Sequence, residues 1–339
     1  MSIPPSPNFT KGTSKGSGEG GVVSIEGTEL ISRAPTQKTN ITRLIDDIEV
    51  QRLKHLKQHN LRIALGLVVG LILGVYLSLF SGFHETALMQ TLIGGFIVIG
   101  IFAYMPVQSY RKAFKAEFMP KLVALLGDFS YVPKRPLNEK ALKRSGLIPA
   151  RYAIHMEDFI GGTVGGSKVE FAETVISNPA RAKPKHVKDK RVKGLPVARG
   201  MSMLIIRPVR FTGHTIMTSK RGTKLEKEAQ INKTLSGVRV EAREALSWLD
   251  IYATEQTEAQ KLAHTETLNF IQKISLNLFN APIEVSFFEN YVAFLMPYSN
   301  NLFEPRSITK PAFSNEDIPI LEKHVTLTRL FVEHLDAIS

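Results

Sequence analysis

The sequence predicts an α+β protein in which a transmembrane helical hairpin is followed by a cytoplasmic domain with antiparallel hairpins. Three observations predict it. Residues 63–80 and 87–107 are two uncharged apolar runs separated by six residues. Beyond them, short stretches with period-two alternation come in pairs around turn residues. The remaining helical patterns are grouped rather than interleaved with strands, which points away from a doubly wound parallel sheet.

Residues 1–38 are rich in Gly, Ser, Thr and Pro and lack apolar periodicity, so a disordered tail is expected there. Within it, Gly12-Thr13-Ser14-Lys15-Gly16 matches the pattern of a nucleophile elbow, but neither the strand nor the helix that motif needs flanks it. From 39 to 62, Ile41, Leu44, Ile45 and Ile48 recur at helical spacing and predict an amphipathic helix. The uncharged runs that follow hold 18 and 21 residues. At about 1.5 Å per residue they reach roughly 27 and 32 Å, enough for a hydrocarbon core of about 30 Å. The connection at 81–86 is too short for a domain, so both runs form one hairpin over 63–107.

Lys54, Lys57 and Arg62 precede the first run, and Arg111, Lys112 and Lys115 follow the second. The loop between has no Lys or Arg, so the positive-inside rule places both termini in the cytoplasm. Gly66, Gly70 and Gly74 share one face of the first run, where small residues let a helix approach closely. The helix on that face is either the chain's own second run or a second copy in a homodimer. Neither run carries an ionisable residue, which argues against an ion or proton pathway through the hairpin alone.

Residues 108–127 continue as a juxtamembrane helix. Its Phe114, Phe118, Leu122 and Leu125 rest either on anionic lipid headgroups or on the soluble domain. The cytoplasmic α+β domain is expected over 128–339. Strands are predicted at 159–164 and 168–176 around Gly165-Gly166, with Val169, Phe171 and Val175 alternating. The glycines at 161–166 do not make a phosphate loop, because no Gly-Lys-Ser/Thr opens a helix after them. Further strand signals lie at 203–206, 214–218, 238–241 and 249–253, and 255–277 reads as helical. A second hairpin, 283–288 with 291–296, turns at Glu289-Asn290, with Asn suited to positive φ. Asn315 is placed to cap a last helix.

The chain carries 43 Lys+Arg against 31 Asp+Glu, a formal +12, and two short segments hold the excess. Residues 111–144 contribute +6 and residues 181–199 contribute +7. The second segment, broken by Pro184 and Pro196, reads as a basic loop without regular structure. Its basic residues lack interleaved aromatic residues for base stacking, which disfavours nucleic acid as the partner. Arg111, Lys112 and Lys115, with Lys183, Lys185, Lys188, Lys190, Arg191 and Lys193, are therefore the expected contacts to anionic lipid headgroups. The absence of Cys excludes a disulfide framework, a thiolate metal site and a cysteine nucleophile.

A series of short motifs runs through this order. It comprises Tyr110-Arg111-Lys112-Ala113-Phe114-Lys115, Met119-Pro120-Lys121-Leu122, Ser145-Gly146-Leu147, and Glu157-Asp158-Phe159-Ile160-Gly161-Gly162. Val169-Glu170-Phe171-Ala172-Glu173, Arg199-Gly200, Phe211-Thr212-Gly213-His214-Thr215 and Leu302-Phe303-Glu304-Pro305 complete it. With the hairpin before it, this series resembles an uncharacterised bacterial membrane-protein family defined by a domain of unknown function, over residues 60–310. The resemblance implies a bacterial plasma (inner) membrane location with two spans. It carries no catalytic residues or cofactor to transfer.

The nine His residues show no H-x-x-x-H or H-E-x-x-H spacing, so no metal and no cofactor is expected. The best acid–base candidates are His155, Glu157 and Asp158, with His214 in another loop. The leading expectation is a membrane-anchored, non-enzymatic interaction or scaffold domain with an unknown protein partner. The alternatives are a membrane-tethered enzyme using His155, Glu157 and Asp158, and a membrane-linked nucleic-acid binder acting through 181–199.

Overall fold

The computed structural model describes residues 35–80, 85–125, 127–181, 194–219, 236–237, 249–275, 283–297, 303–313 and 317–337. One helix, α1 (Pro35–Phe80), runs without a break through the amphipathic stretch and the first apolar run. Its 46 residues extend over about 69 Å. Ile41, Leu44 and Ile48 are buried at helical spacing against the domain, whereas Leu65, Leu71 and Ile72 are exposed. Helix α2 (Glu85–Ala113) returns beside it, with Ile93, Phe96 and Ile101 likewise exposed. Both helices are long and apolar enough to cross a membrane. A Cβ on Gly66 would stand 2.8 Å from Ile99 Cγ1, so this glycine admits the chain's own second helix, while a Cβ on Gly74 would meet nothing within 4 Å.

Pro106 lies inside α2 and cannot donate to the Phe102 carbonyl four residues earlier. Helix α1 supplies the missing donor. Arg62 Nη1 donates to Phe102 O at 3.3 Å, and its guanidinium stands 4.9 Å from the Phe102 ring centre. One turn back along α1, His59 Nδ1 lies 2.6 Å from Ala103 O. After α2 the backbone widens into a π-helical turn at Phe114–Phe118 and tightens again as α3 (Met119–Ala124). This departs from the regular helix expected over 108–127. Phe114, Phe118, Met119, Leu122 and Val123 are all buried against the sheet, so this segment packs on the domain.

The domain is an antiparallel sheet of nine strands among the described residues. They are β1 (Phe129–Val132), β2 (Ala153–Val164), β3 (Ser167–Asn178), β4 (Leu195–Ile206) and β5 (His214–Ser219), then β6 (Ser236–Gly237), β7 (Leu249–Ala253), β8 (Glu284–Phe288) and β9 (Tyr291–Pro297). Their order is β1-β2-β3-β4-β9-β8-β5-β7-β6. The β2–β3 hairpin closes on Gly165 and Gly166, both at positive φ, as a two-residue turn requires. In the β8–β9 turn it is Glu289, not Asn290, that takes positive φ. Strand β4 begins at Leu195, so the end of the expected loop, including Arg199, belongs to the sheet. Pro196 is accommodated where the β3–β4 register shifts after Ile176. The strand expected at 238–241 and the Asn315 cap lie outside the described residues.

Four short or amphipathic helices complete the domain: α4 (Glu139–Arg144), α5 (Gln256–Leu262), α6 (Thr265–Ile274) and α7 (Asp317–Ala337). The single helix expected over 255–277 is two, because His264 is extended and restarts the helix by accepting from Leu268 N. The break lets Leu262 and Ala263 pack in one phase and Leu268 and Ile271 in another. Apolar side chains fill both faces of the sheet. One face packs α1, the π turn, α3 and α7 around Phe171, Met203, Phe294 and Phe331. The other packs the α4 region around Ile176, Leu204, Ile216 and Leu295.

Candidate functional site

On the helix-bearing face, charged side chains meet inside the apolar core. The cross-strand register puts Glu157 opposite Glu173, and Val175 opposite Arg199, so these residues share one face. A bulge between Glu157 and Ile160 then turns the next residue inward. Asp158 sits in it at φ 55, a conformation Asp tolerates, and is fully buried. Its N–H is held by Pro133 O at 3.0 Å.

The π turn delivers the counter-charge. Lys115 Nζ lies 2.7 Å from Asp158 Oδ2 and 2.8 Å from Glu304 Oε1, with 16% of its side chain exposed. Tyr131, on β1, donates its hydroxyl to Asp158 Oδ1. Burial pushes the Asp158 carboxyl up from its ordinary value, and the hydrogen bonds from Lys115 and Tyr131 pull it back. Lys115 is therefore an internal ion-pair residue and not a lipid contact. Arg111 and Lys112, two residues of the same flank, are exposed. Lys183, Lys185, Lys188, Lys190, Arg191 and Lys193 lie outside the described residues.

Glu173 is the odd member of this cluster. It is 5% exposed, and neither carboxylate oxygen has a hydrogen-bond partner among the described residues. The Arg199 guanidinium approaches Oε1 only to 3.9 Å. Burial pushes the Glu173 carboxyl up to about 7, with the charges of Asp158 and Glu157 adding to the rise. Glu157, Asp158 and Glu173 can each place a carboxylate oxygen within 4.8 Å of the others, a spacing that suits a hard divalent cation. However, both Asp158 oxygens already accept from Tyr131 and Lys115, and the Lys115 ammonium stands where such an ion would compete. The group is a carboxylate cluster countered by the protein's own cations.

Of the acid–base candidates read from the sequence, Glu157 and Asp158 are brought together here. His155 lies on the same strand, opposite Val175, and its Nε2 is buried without a hydrogen-bond partner among the described residues. His214 belongs to a second junction, on the opposite face. Its Nε2 stands 3.0 Å from Ser145 O and 2.9 Å from Ser286 Oγ. Ser286 donates its own hydrogen to Ser145 O at 2.7 Å, so both contacts are met by a hydrogen on Nε2. Burial lowers the His214 pKa.

The two junctions gather most of the motifs that carry the family resemblance. Lys115, Asp158, Glu173, Arg199 and Glu304 come from five of them and meet at the first junction. Ser145 and His214 come from two more and meet at the second. Lys115 as an ion-pair residue, Tyr131, Glu173, Arg199 and Glu304 were not read as site residues from the sequence. One signal was present: Glu173 falls in the core-facing phase of Val169, Phe171 and Val175.

The fold and its junctions thus define an α+β sheet domain fastened to two long apolar helices. Residues 197–337 match the family model described as "Protein of unknown function (DUF3137)", which supports the resemblance to a family defined by a domain of unknown function. The comparison with curated proteins gives no match. Among solved structures, the mycobacterial trehalose monomycolate transport factor A, TtfA, is similar over 64% of this chain and 97% of that one. The identity is 11% and the TM-score 0.34, too low a likeness to bear on fold or function.

Proposed function

We propose that the chain is a membrane-anchored, non-enzymatic interaction domain. Helices α1 and α2 cross the bacterial plasma membrane as a hairpin, with both termini cytoplasmic, and the sheet domain hangs from them rigidly. The observation that carries this reading is the distribution of apolar and basic residues on the two helices. Leu65, Leu71, Ile72, Ile93, Phe96 and Ile101 are exposed along these helices, and Lys54, Lys57, Arg62, Arg111 and Lys112 gather at the ends nearest the sheet. Bilayer lipid covers such a surface, and anionic headgroups attract the basic ends, each basic residue contributing on the order of 1 kcal/mol. The basic residues at 183–193 extend that attraction.

The domain is joined to the helices too firmly for a free tether. Arg52 Nη1 donates to Ile308 O at 2.6 Å and Glu49 accepts from Ala312 N at 3.3 Å, while Lys115 holds Glu304 in the same segment. A partner bound by the sheet domain is thereby held at a set height above the membrane. Because the chain lacks Cys, single cysteines report topology cleanly. Ser81→Cys should react with an impermeant thiol reagent in intact cells, and Ala150→Cys, at an exposed position, only after permeabilisation. The reverse pattern, or release of the protein by alkaline carbonate, would overturn the reading.

A further inference from the structure

We propose that Glu173 is the proton-binding group of a latch that fastens the second apolar helix to the sheet, closed when Glu173 carries a proton and loosened when it does not. The latch stands whether or not the helices cross a bilayer, because it rests on the junction alone.

The geometry has three parts. Asp158, in its bulge, is the fixed anchor, and Lys115 on the π turn is the bolt that reaches it. Glu173 sits beside the pair and is the member left without a hydrogen-bond donor among the described residues. The titratable and charged groups around it among the described residues come from five segments. They are Lys115 from the π turn, Tyr131 from β1, His155, Glu157 and Asp158 from β2, Arg199 from β4 and Glu304 from the segment after β9.

Charge decides the direction. With Glu173 neutral, Lys115 and Arg199 stand against Asp158, Glu157 and Glu304, one surplus negative charge among these described groups. Deprotonation adds a second, on a carboxylate that has no donor among the described residues and faces two other carboxylates. A buried anion in that state is relieved by water, and lifting the π turn and α3 from β1–β3 opens the junction to it. The same segment holds Phe114 and Phe118, so lifting it loosens the attachment of α2.

The pH window follows from burial. Glu173 titrates near 7 in the closed junction and near its ordinary 4.5 when hydrated. Below the lower value both forms carry the proton and the latch is fully closed. Opening becomes easier as pH rises from there and levels off above about 7. Between pH 6 and pH 8 the opening equilibrium should rise about tenfold.

Hydrogen exchange on the full-length chain in detergent tests this, with rates corrected for the intrinsic pH dependence of exchange. The latch predicts that protection of residues 114–124 and 169–178 falls about tenfold between pH 6 and pH 8. The β8–β9 hairpin, buried in the same core, should stay unchanged. In Glu173→Gln, which keeps the shape and removes the titration, the fall should vanish. Equal loss in the hairpin would mean general unfolding and would overturn the proposal, as would a flat profile in the native chain. A fall that persists in Glu173→Gln would assign the titration to another group and overturn it too. Should that variant not fold, the contrast between the two segments of the native chain decides alone.

Discussion

The two junctions sit on opposite faces of one sheet and are built on opposite terms. At Ser145, His214 and Ser286, two hydrogens meet two acceptors and every group has a neutral partner. At Lys115, Asp158 and Glu173, charges are packed closer than their hydrogen bonds can serve, and one carboxylate is left over. The difference separates two ways of fixing a segment. A matched neutral network holds one geometry and costs little to keep, whereas a charged cluster holds only while its protons and counter-ions stay in place.

The largest expected effect comes from removing the bolt. Lys115→Met leaves Asp158 and Glu304 without their ammonium in a mostly closed site. Breaking one side of such a pair costs about 3–5 kcal/mol. The thermal midpoint of the purified chain should fall by roughly 10 °C. A fall of no more than a degree or two would show that the junction is hydrated, and the contrast with the neutral network would collapse.

The neutral junction should respond less, and equally at pH 7 and at pH 8. Ser286→Ala removes one donor to Ser145 O while His214 still serves that carbonyl, so the cost is about 1 kcal/mol. The midpoint should drop by roughly 3 °C, by the same amount at pH 7 and at pH 8. A loss as large as that of Lys115→Met would make the two junctions equals.

How much of this was legible beforehand differs by element. The β2–β3 hairpin was, because Gly165 and Gly166 can only be a turn between two apolar strands, and so was the helical pair, because two uncharged runs of that length have few other uses. The charged junction was not. Lys115 follows an apolar run exactly as Arg111 and Lys112 do, and only the π turn decides which of the three faces inward. That turn adds a residue to the helical repeat without any sequence mark. Likewise, the bulge that turns Asp158 inward exists because β2 and β3 pair in a register that pattern alone does not reveal. Glu173 was visible as a charge in an apolar phase, but its partners lie on other strands and beyond β9.

The smallest expected effect is also the one that separates the junctions by sign. His214 is buried and its pKa is lowered, so the folded state resists its protonation. Its contribution to stability is present in full above its ordinary value of 6.5 and is lost as pH falls below that. Glu173 works the other way, since its raised pKa makes the charged junction weaker as pH rises from 4.5 toward 7. The two trends therefore oppose each other below neutrality, the helix-bearing face loosening as pH rises from 4.5 toward 7 and the α4 face loosening as pH falls below 6.5. His214→Gln keeps a donor near Ser145 O and Ser286 Oγ but cannot take up a proton. Between pH 6.5 and pH 5 it should remove the fall in thermal midpoint that His214 causes on acidification, whereas Glu173→Gln should remove the rise that Glu173 causes over the same range, and above about pH 8 neither should change the slope. If the two substitutions tilted the pH profile in the same direction, the two faces would be one cooperative unit and not two separately titrating joints.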